Sequence, residues 1–443
     1  MSKSCMIATL LLLISPPSFS AEKQSREQKV RADKKRVEAE GFWIYNDIER
    51  AYREARQTGK PICVSLRCLP CEECVKLDDE LVDTDPVIRP LLEKFVCVRI
   101  VGTNGLDLNV FQYDTDQSFA VFLLNADKTV YGRFGTRSHR TDWLGDVSLQ
   151  GMARALEGAL ALHQRYPANK DQLAGKLGQP LEFASPEQYP SLKDKYTDRL
   201  NYDGDVVKSC IHCHQIGDAR REYYWSRGKS IPERIMFPYP HPKAVGLVLD
   251  PEQRAKVKDI AAGSAAEAAG LRVDDEILAL DGQPLISMAD IQWVLHHTSP
   301  EGAELDMLVR RDGSVASKTL KLQSGWRRKD KISWRVSSWG MRRIATGGMK
   351  LVALDDQERV ETGLTQGMSL KAEHVGRYGA HAAAWRAGFR PGDILVSFDG
   401  REDLTTEAAL FAYVNDHHKA GDRVSVEYVR GGKRQTKQLP IQK

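Results

Sequence analysis

Ile277-Leu278-Ala279-Leu280-Asp281-Gly282 and Ile394-Leu395-Val396-Ser397-Phe398-Asp399-Gly400 are two copies of one pattern, about 118 residues apart. Each is a short apolar run closed by Asp-Gly, a strand running into a tight turn. The likeness extends upstream. Ala266-Glu267-Ala268-Ala269-Gly270-Leu271 precedes the first copy, and Ala383-Ala384-Trp385-Arg386-Ala387-Gly388-Phe389 precedes the second. The period is too long for a solenoid and fits tandem domains. Helical spacing follows each copy, at Ser287–Leu295 and Thr405–Val414. Two β-rich modules are therefore expected at 243–323 and 349–443. A basic linker with Trp and Ser lies between them, at 324–348.

Outward from this repeat, the 443 residues suggest about three domains. The chain is 42% hydrophobic and 28% charged, which excludes a disordered chain, a coiled-coil rod and a polytopic membrane protein. The net charge is +4, and no stretch is both basic and aromatic, so nucleic acid is not an expected partner. Lys3, the apolar run Met6–Ile14 and the small residues before position 20 read as a cleaved export signal, 1–20. The run is too short to span a bilayer, so no membrane span is expected after cleavage. Seven of the 8 cysteines would enter a periplasmic or extracellular, oxidising compartment. Residues 21–40 are a charged leader, read as a solvated helix or a mobile arm.

Trp43 opens a different texture. A helix runs through Ile48, Tyr52 and Ala55 and stops at Gly59. Strands follow at 61–66, 95–100, 120–124 and 129–134, then a helix from Leu149 to about His163. This is an α/β domain, 41–165. Between its first two strands lies Cys68-Leu69-Pro70-Cys71-Glu72-Glu73-Cys74, two overlapping CxxC pairs. A CxxC that opens a helix favours a thiolate and puts a second thiol one turn away. The strand-to-loop length before Cys71, and the run from Cys74 through Asp78-Asp79-Glu80 to Phe95-Val96, resemble thioredoxin-fold proteins. The resemblance implies Cys71 as attacking thiol and Cys74 as resolving thiol. The sequence departs from that family where Ser65 replaces a buried acid, Pro70 a tryptophan and Ser118 a cis-proline. Glu72 and Glu73 should raise the thiol pKa. Thiol–disulfide oxidoreduction therefore stands beside a structural disulfide or an inert relic of the fold, and beside a metal site at Cys68, Cys71 and Cys74. Cys63 and Cys97 read as buried core thiols.

Residues 166–242 are rich in proline and aromatics, with poor periodicity, and contain Cys210-Ile211-His212-Cys213-His214. This is the attachment spacing of c-type haem: two thiols bind the vinyl groups and His214 ligates the iron. Haem c is the expected cofactor, with Met236 or His241 as sixth ligand, in an irregular, cytochrome-like segment. A CxxC disulfide or small metal site followed by an incidental histidine is the other reading.

The first repeat, with Ala244-Val245-Gly246-Leu247-Val248-Leu249 before it, resembles PDZ domains of the HtrA type. The resemblance implies a peptide C-terminus held near Val245, Gly246, Leu247 and Val248, paired beside 247–249 and lying along the 287–295 helix. The second repeat also resembles a PDZ domain. Its carboxylate loop is Gly347-Gly348-Met349 or Gly363-Leu364. No protease domain precedes the modules, so proteolysis is not expected. The fold expectation is multidomain: an α/β thioredoxin-like domain, an irregular haem-type segment and two β-rich PDZ-like domains. The functional expectation is an exported redox scaffold that binds protein C-termini or internal peptides and a redox partner protein. The alternatives are a non-catalytic PDZ scaffold with structural cysteines and an electron carrier with a regulatory CxxC.

Overall fold

The computed structural model describes residues 25–67, 85–117, 119–136 and 147–443. Helix α1 (Arg26–Glu40) begins at a capping box between Ser25 and Gln28 and stops at Gly41 in the left-handed region. Over 26–40 the leader is thus a helix with a buried face rather than a fully solvated one. Val30, Asp33 and Val37 are buried, and Asp33 bonds the Arg67 guanidinium at 2.8 Å.

A five-stranded sheet follows, ordered β1 (Ile44–Tyr45), β3 (Val96–Ile100), β2 (Ile62–Arg67), β4 (Phe119–Leu124), β5 (Val130–Thr136). β1, β3 and β2 are parallel; β4 runs antiparallel to them, and β5 returns in a hairpin in the direction of β2. The register places Leu66 opposite Ile100, Arg67 opposite Phe119, and Phe119 opposite Thr136. One rim of the sheet therefore gathers the C-terminal ends of β2, β3 and β5. Helix α2 (Ile48–Thr58) covers one face. α3 (Ile88–Leu92) and α4 (Leu149–Gln164) cover the other. The fully buried β2 pattern explains its continuous apolar run.

Residues 166–242 are not a separate cytochrome-like unit. They wrap the thioredoxin-like domain and contribute Tyr189, Leu192, Ile211, Ile216 and Ala219 to its core. Their one long helix is α5 (Cys213–Trp225).

The first β-rich module pairs β6 (Leu247–Leu249) with β7 (Val257–Ile260). It stacks β8 (Glu276–Leu280), β9 (Gln283–Pro284), β10 (Gly302–Arg311) and β11 (Ser314–Gln323) in the order 11-10-8-9. Helix α6 (Met288–His297) lies against them. The second module is one sheet, β12 (Met349–Ala353), β13 (Leu370–Val375), β14 (Ile394–Phe398), β15 (Arg423–Arg430) and β16 (Lys433–Pro440) in sequence order, with helix α8 (Glu407–His417). The stretch 324–348 is not a linker. It buries Trp326, Arg327, Ile332 and Arg335, then forms helix α7 (Ser338–Thr346), whose Met341, Ile344 and Ala345 enter the core of the second module.

Arg335 shows why that stretch is fixed. Its guanidinium is fully buried and meets Asp114 at 2.5 Å and Asp116 at 3.5 Å, both carboxylates also buried. It also donates to the Pro238 carbonyl at 2.6 Å, and Asp116 accepts from the Ser337 backbone and hydroxyl. Burial works against the charge on Arg335, but the two carboxylates outweigh it and hold the group protonated. Removing one partner of such a buried set costs about 3–5 kcal/mol, because the remaining charges stay desolvated. Arg335→Ala is expected to lower the unfolding free energy measured by urea titration by an amount in that range, and to loosen the thioredoxin-like and PDZ signals together. A shift equivalent to under about 1 kcal/mol, the worth of an exposed pair, would show that the cluster does not hold the domains.

Candidate functional site

The expected thiol pair, Cys71 and Cys74, lies outside the described residues, as do Cys68, Pro70 and Ser118. The rim from which that loop departs is described. Arg67, the residue before Cys68, is buried, and Arg99 is buried one strand away with its guanidinium 4.5 Å from the Trp43 ring centroid. Ser65 stands beside Arg99 in register. The rim is therefore cationic where thioredoxins place an acid, with Asp33 as counter-charge. Cationic surroundings favour a thiolate. Cys63 and Cys97 face each other across β2 and β3, fully packed. Burial, then the neighbouring Cys63, pushes the Cys97 thiol well up, so it stays protonated. These are core thiols, as their mid-strand positions imply.

Cys210 and Cys213 sit on the same rim. Thr103, just beyond β3, donates to the Ile211 carbonyl through both its N–H and its hydroxyl, at 3.1 and 2.8 Å. Asn104 accepts from the Ile211 N–H at 2.9 Å and donates to the Ser209 carbonyl at 2.9 Å. Ile211 is thereby driven into the domain core. Cys210 is buried, and burial followed by the Cys213 charge pushes its thiol up to about 12. Cys213 is half-buried at the first position of α5, and the Tyr113 hydroxyl donates to its sulfur at 3.0 Å. His212 and His214 stack in parallel 5.8 Å apart, and burial lowers the pKa of both.

These residues do not fit a haem. The Cys210 sulfur is packed so closely that a Cβ on Gly102 would come within 3.1 Å of it. The cavity lined by Arg67, Thr103, His212 and Cys213 is about 10 Å³, far below the roughly 300–1,000 Å³ of small-molecule sites. The two expected sixth ligands are engaged elsewhere. Met236 belongs to the core of the second PDZ module. The His241 Nδ1 accepts from the Lys243 N–H at 3.2 Å, and the His241 backbone N–H donates to Asp330 at 3.3 Å. Among the described residues, no cluster of three or more His, Cys, Asp or Glu is disposed around a metal. The spacing matches haem attachment; the tertiary setting does not.

In the first PDZ module, Val245 and Leu247 are buried, Val248 is half-buried and Gly246 has φ 87°. Only glycine fits there, since a Cβ would lie 2.1 Å from Ser264. Among the described residues no strand pairs with the outer edge of β6. Helix α6, which flanks that edge, is fastened to the thioredoxin-like domain. Asp290 pairs with Lys176 at 3.0 Å, both fully buried, and accepts from the Arg133 N–H on β5. The Arg133 guanidinium lies 3.5 Å from the Trp293 ring centroid. Ile286 plugs into the thioredoxin-like core where Gly132 and Gly158 leave room; a Cβ on Gly132 would come within 2.3 Å of it. The end of the groove formed by Leu249, Met288 and Ala289 therefore opens beside Phe134 and Gly135 of β5.

The second module differs. Gly347 and Gly348, at φ 63° and 89°, immediately precede β12, which selects them over Gly363 as the loop equivalent to Gly246. Its groove is bridged by its own chain. Arg342 of α7 makes a buried bidentate pair with Glu407 at the start of α8, at 2.9 and 2.8 Å. Glu407 also accepts from the Leu351 N–H of β12 at 3.0 Å. That N–H points away from β13, where an added strand would need it.

Residues 43–126 match the thioredoxin-like family, and residues 256–311 and 380–441 match two PDZ-domain families. The chain has a thioredoxin-like N-terminal domain followed by two PDZ domains. A probable periplasmic serine endoprotease, DegP-like, of Ectopseudomonas mendocina (strain ymp) is 28% identical over 189 residues, 42% of this chain and 37% of that protein. Its counterpart of the same description in Pseudomonas fulva (strain 12-X) is 26% identical over 182 residues, 40% and 36% of the two chains. The chain thus spans little more than a third of the length of these relatives. The solved HtrA-type protease AlgW with decapeptide aligns with a TM-score of 0.21 and 15% identity, over 31% of this chain and 41% of that one. No helix among the described residues is long and apolar enough to cross a membrane.

The join between α6 and the segment before it should respond to pH. His296 is buried, stacked 4.0 Å from the Tyr239 ring, and its Nδ1 accepts from the Tyr239 N–H at 3.2 Å. Burial, reinforced by nearby cations, holds its pKa well below the usual value. The unfolded chain binds this proton below about pH 6.5 and the fold resists it. Stability from this group is therefore complete above that pH and lost as pH falls beneath it. Urea titrations at pH 7 and pH 5 should show a smaller fall for His296→Asn than for the parent chain; an equal fall contradicts the assignment.

Proposed function

We propose that this chain is an exported thiol–disulfide scaffold: the first PDZ domain captures a polypeptide end, and the thioredoxin-like domain acts on its disulfide. The observation that carries this reading is the docking of α6 on β5. A peptide added beside β6 would run antiparallel to it, with its carboxylate near Gly246 and its upstream residues leaving past Leu249 and Met288. That exit lies beside Phe134 and Gly135, at the rim where β2 ends just before Cys68. β5 is two strands from β2, about 10 Å.

In this reading the Cys71 thiolate attacks a sulfur of the bound disulfide, which breaks and leaves as a thiolate that takes a proton from water. Cys74 then loses its proton and attacks Cys71, forming the Cys71–Cys74 disulfide and releasing the partner as a dithiol. A downstream redox partner restores the pair. Export is supported by the N-terminal signal pattern and by the periplasmic description of the relatives. The second PDZ domain serves as packing, in line with its bridged groove. Haem has no part in the scheme, because Cys210, Cys213 and His214 are not set around a cofactor-sized space.

Two variants test the reading. In a chain that also carries Cys213→Ser, Cys71→Ser is expected to abolish reduction of a peptide disulfide. Met288→Arg places charge in the groove and should weaken binding of apolar C-terminal peptides at least tenfold by fluorescence anisotropy, about 1.4 kcal/mol. Unchanged reduction by Cys71→Ser removes the redox role; unchanged peptide affinity in Met288→Arg removes the capture role.

A further inference from the structure

The second cysteine pair has no part in that scheme, yet it is held more firmly than a structural remnant needs. The backbone of Ser209 and Ile211, on either side of Cys210, is pinned by four hydrogen bonds with Thr103 and Asn104, just beyond β3. The two sulfurs are unequal. Cys210 is 6% exposed, while Cys213 is half-buried and lines a small cavity with Leu66, Arg67, Val101 and His212. Cys213 also opens a 13-residue helix and receives the Tyr113 hydroxyl on its sulfur. Helix N-terminus and hydroxyl donor both stabilise negative charge there.

We propose that Cys210 and Cys213 form a second dithiol–disulfide site, in which Cys213 attacks and Cys210 resolves, with a protein or glutathione disulfide as oxidant. The order reverses the one assigned to Cys71 and Cys74, because here the second cysteine, not the first, stands at the helix start. The Cys213 thiolate attacks one sulfur of the disulfide. That S–S bond breaks, a mixed disulfide forms, and the leaving sulfur takes a proton from water. Cys210 gives up its proton to water and attacks the Cys213 sulfur. The Cys210–Cys213 bond forms, and the second half of the oxidant leaves as a thiol. Two electrons pass from the pair to the oxidant. The site shares its cavity with Arg67, so it is placed beside the residue that leads into the first CxxC. It stands on its own geometry and does not depend on the proposed role of Cys71 and Cys74.

The test uses the full chain with Cys71→Ser and Cys74→Ser, exported from a host that carries c-type haem maturation. The protein is equilibrated in buffers from all-reduced glutathione to all-glutathione disulfide, alkylated and mapped by mass spectrometry. The expected result is a Cys210–Cys213 disulfide in the oxidised buffers that is lost in the reduced ones. Adding Cys210→Ser should trap glutathione on Cys213, while adding Cys213→Ser should leave Cys210 unmodified. Tyr113→Phe keeps both cysteines and should slow alkylation of Cys213 about fivefold, the worth of one net hydrogen bond. It serves if a serine variant fails to fold. The proposal is overturned if both thiols persist in every buffer, if glutathione is trapped on Cys210 instead, if Tyr113→Phe leaves the Cys213 rate unchanged, or if the peptide carries a haem adduct with a Soret band.

Discussion

The guanidinium of Arg335 ties three distant parts of the chain to one point. It joins the loop bearing Asp114 and Asp116, the turn at Pro238, and the stretch that leads into α7. Charges this deeply buried are stable only when paired. The thioredoxin-like domain and the segment between the PDZ domains therefore hold a shared geometry, or neither keeps its polar groups satisfied. The Lys176–Asp290 pair applies the same rule to α6, and Arg342–Glu407 applies it to α8. Two buried cations thus help to set the positions of the PDZ helices α6 and α8.

That frame explains the crowding at one rim of the five-stranded sheet. Asp33 arrives there from α1, Cys210 and Cys213 from the wrapped segment, and the mouth of the first PDZ groove from α6. Each is anchored to β-strands or to the residue just after one. Groups on rigid elements keep their spacing better than groups on loops. In the proposed reading, a bound peptide would leave the groove beside the strand ends that lead toward Cys71.

Much of this was legible in the sequence. The buried strands read as unbroken apolar runs, and the Asp-Gly turns marked both PDZ repeats, because those signals are local. The failures share a different cause. Cys210-Ile-His-Cys213-His214 has haem spacing, but spacing does not show that Thr103 and Asn104 draw Ile211 into the core. The charged leader looked solvated because Asp33 and Arg67 are far apart in sequence and cancel only when folded. The 324–348 stretch looked like a linker because three of its buried residues are arginines, Arg327, Arg335 and Arg342, and the partners of Arg335 lie more than 200 positions upstream. Gly132 and Gly158 signalled nothing until Ile286 was seen to fill the space they leave.

Mixed-disulfide trapping measures the central claim, that capture and thiol chemistry share one frame. The chain with Cys74→Ser would be offered apolar C-terminal peptides, each with one activated cysteine at a different distance from its carboxylate. The account predicts trapping on Cys71 that peaks at one distance and falls when the carboxylate is amidated. Trapping equal at every distance and unaffected by amidation would contradict it.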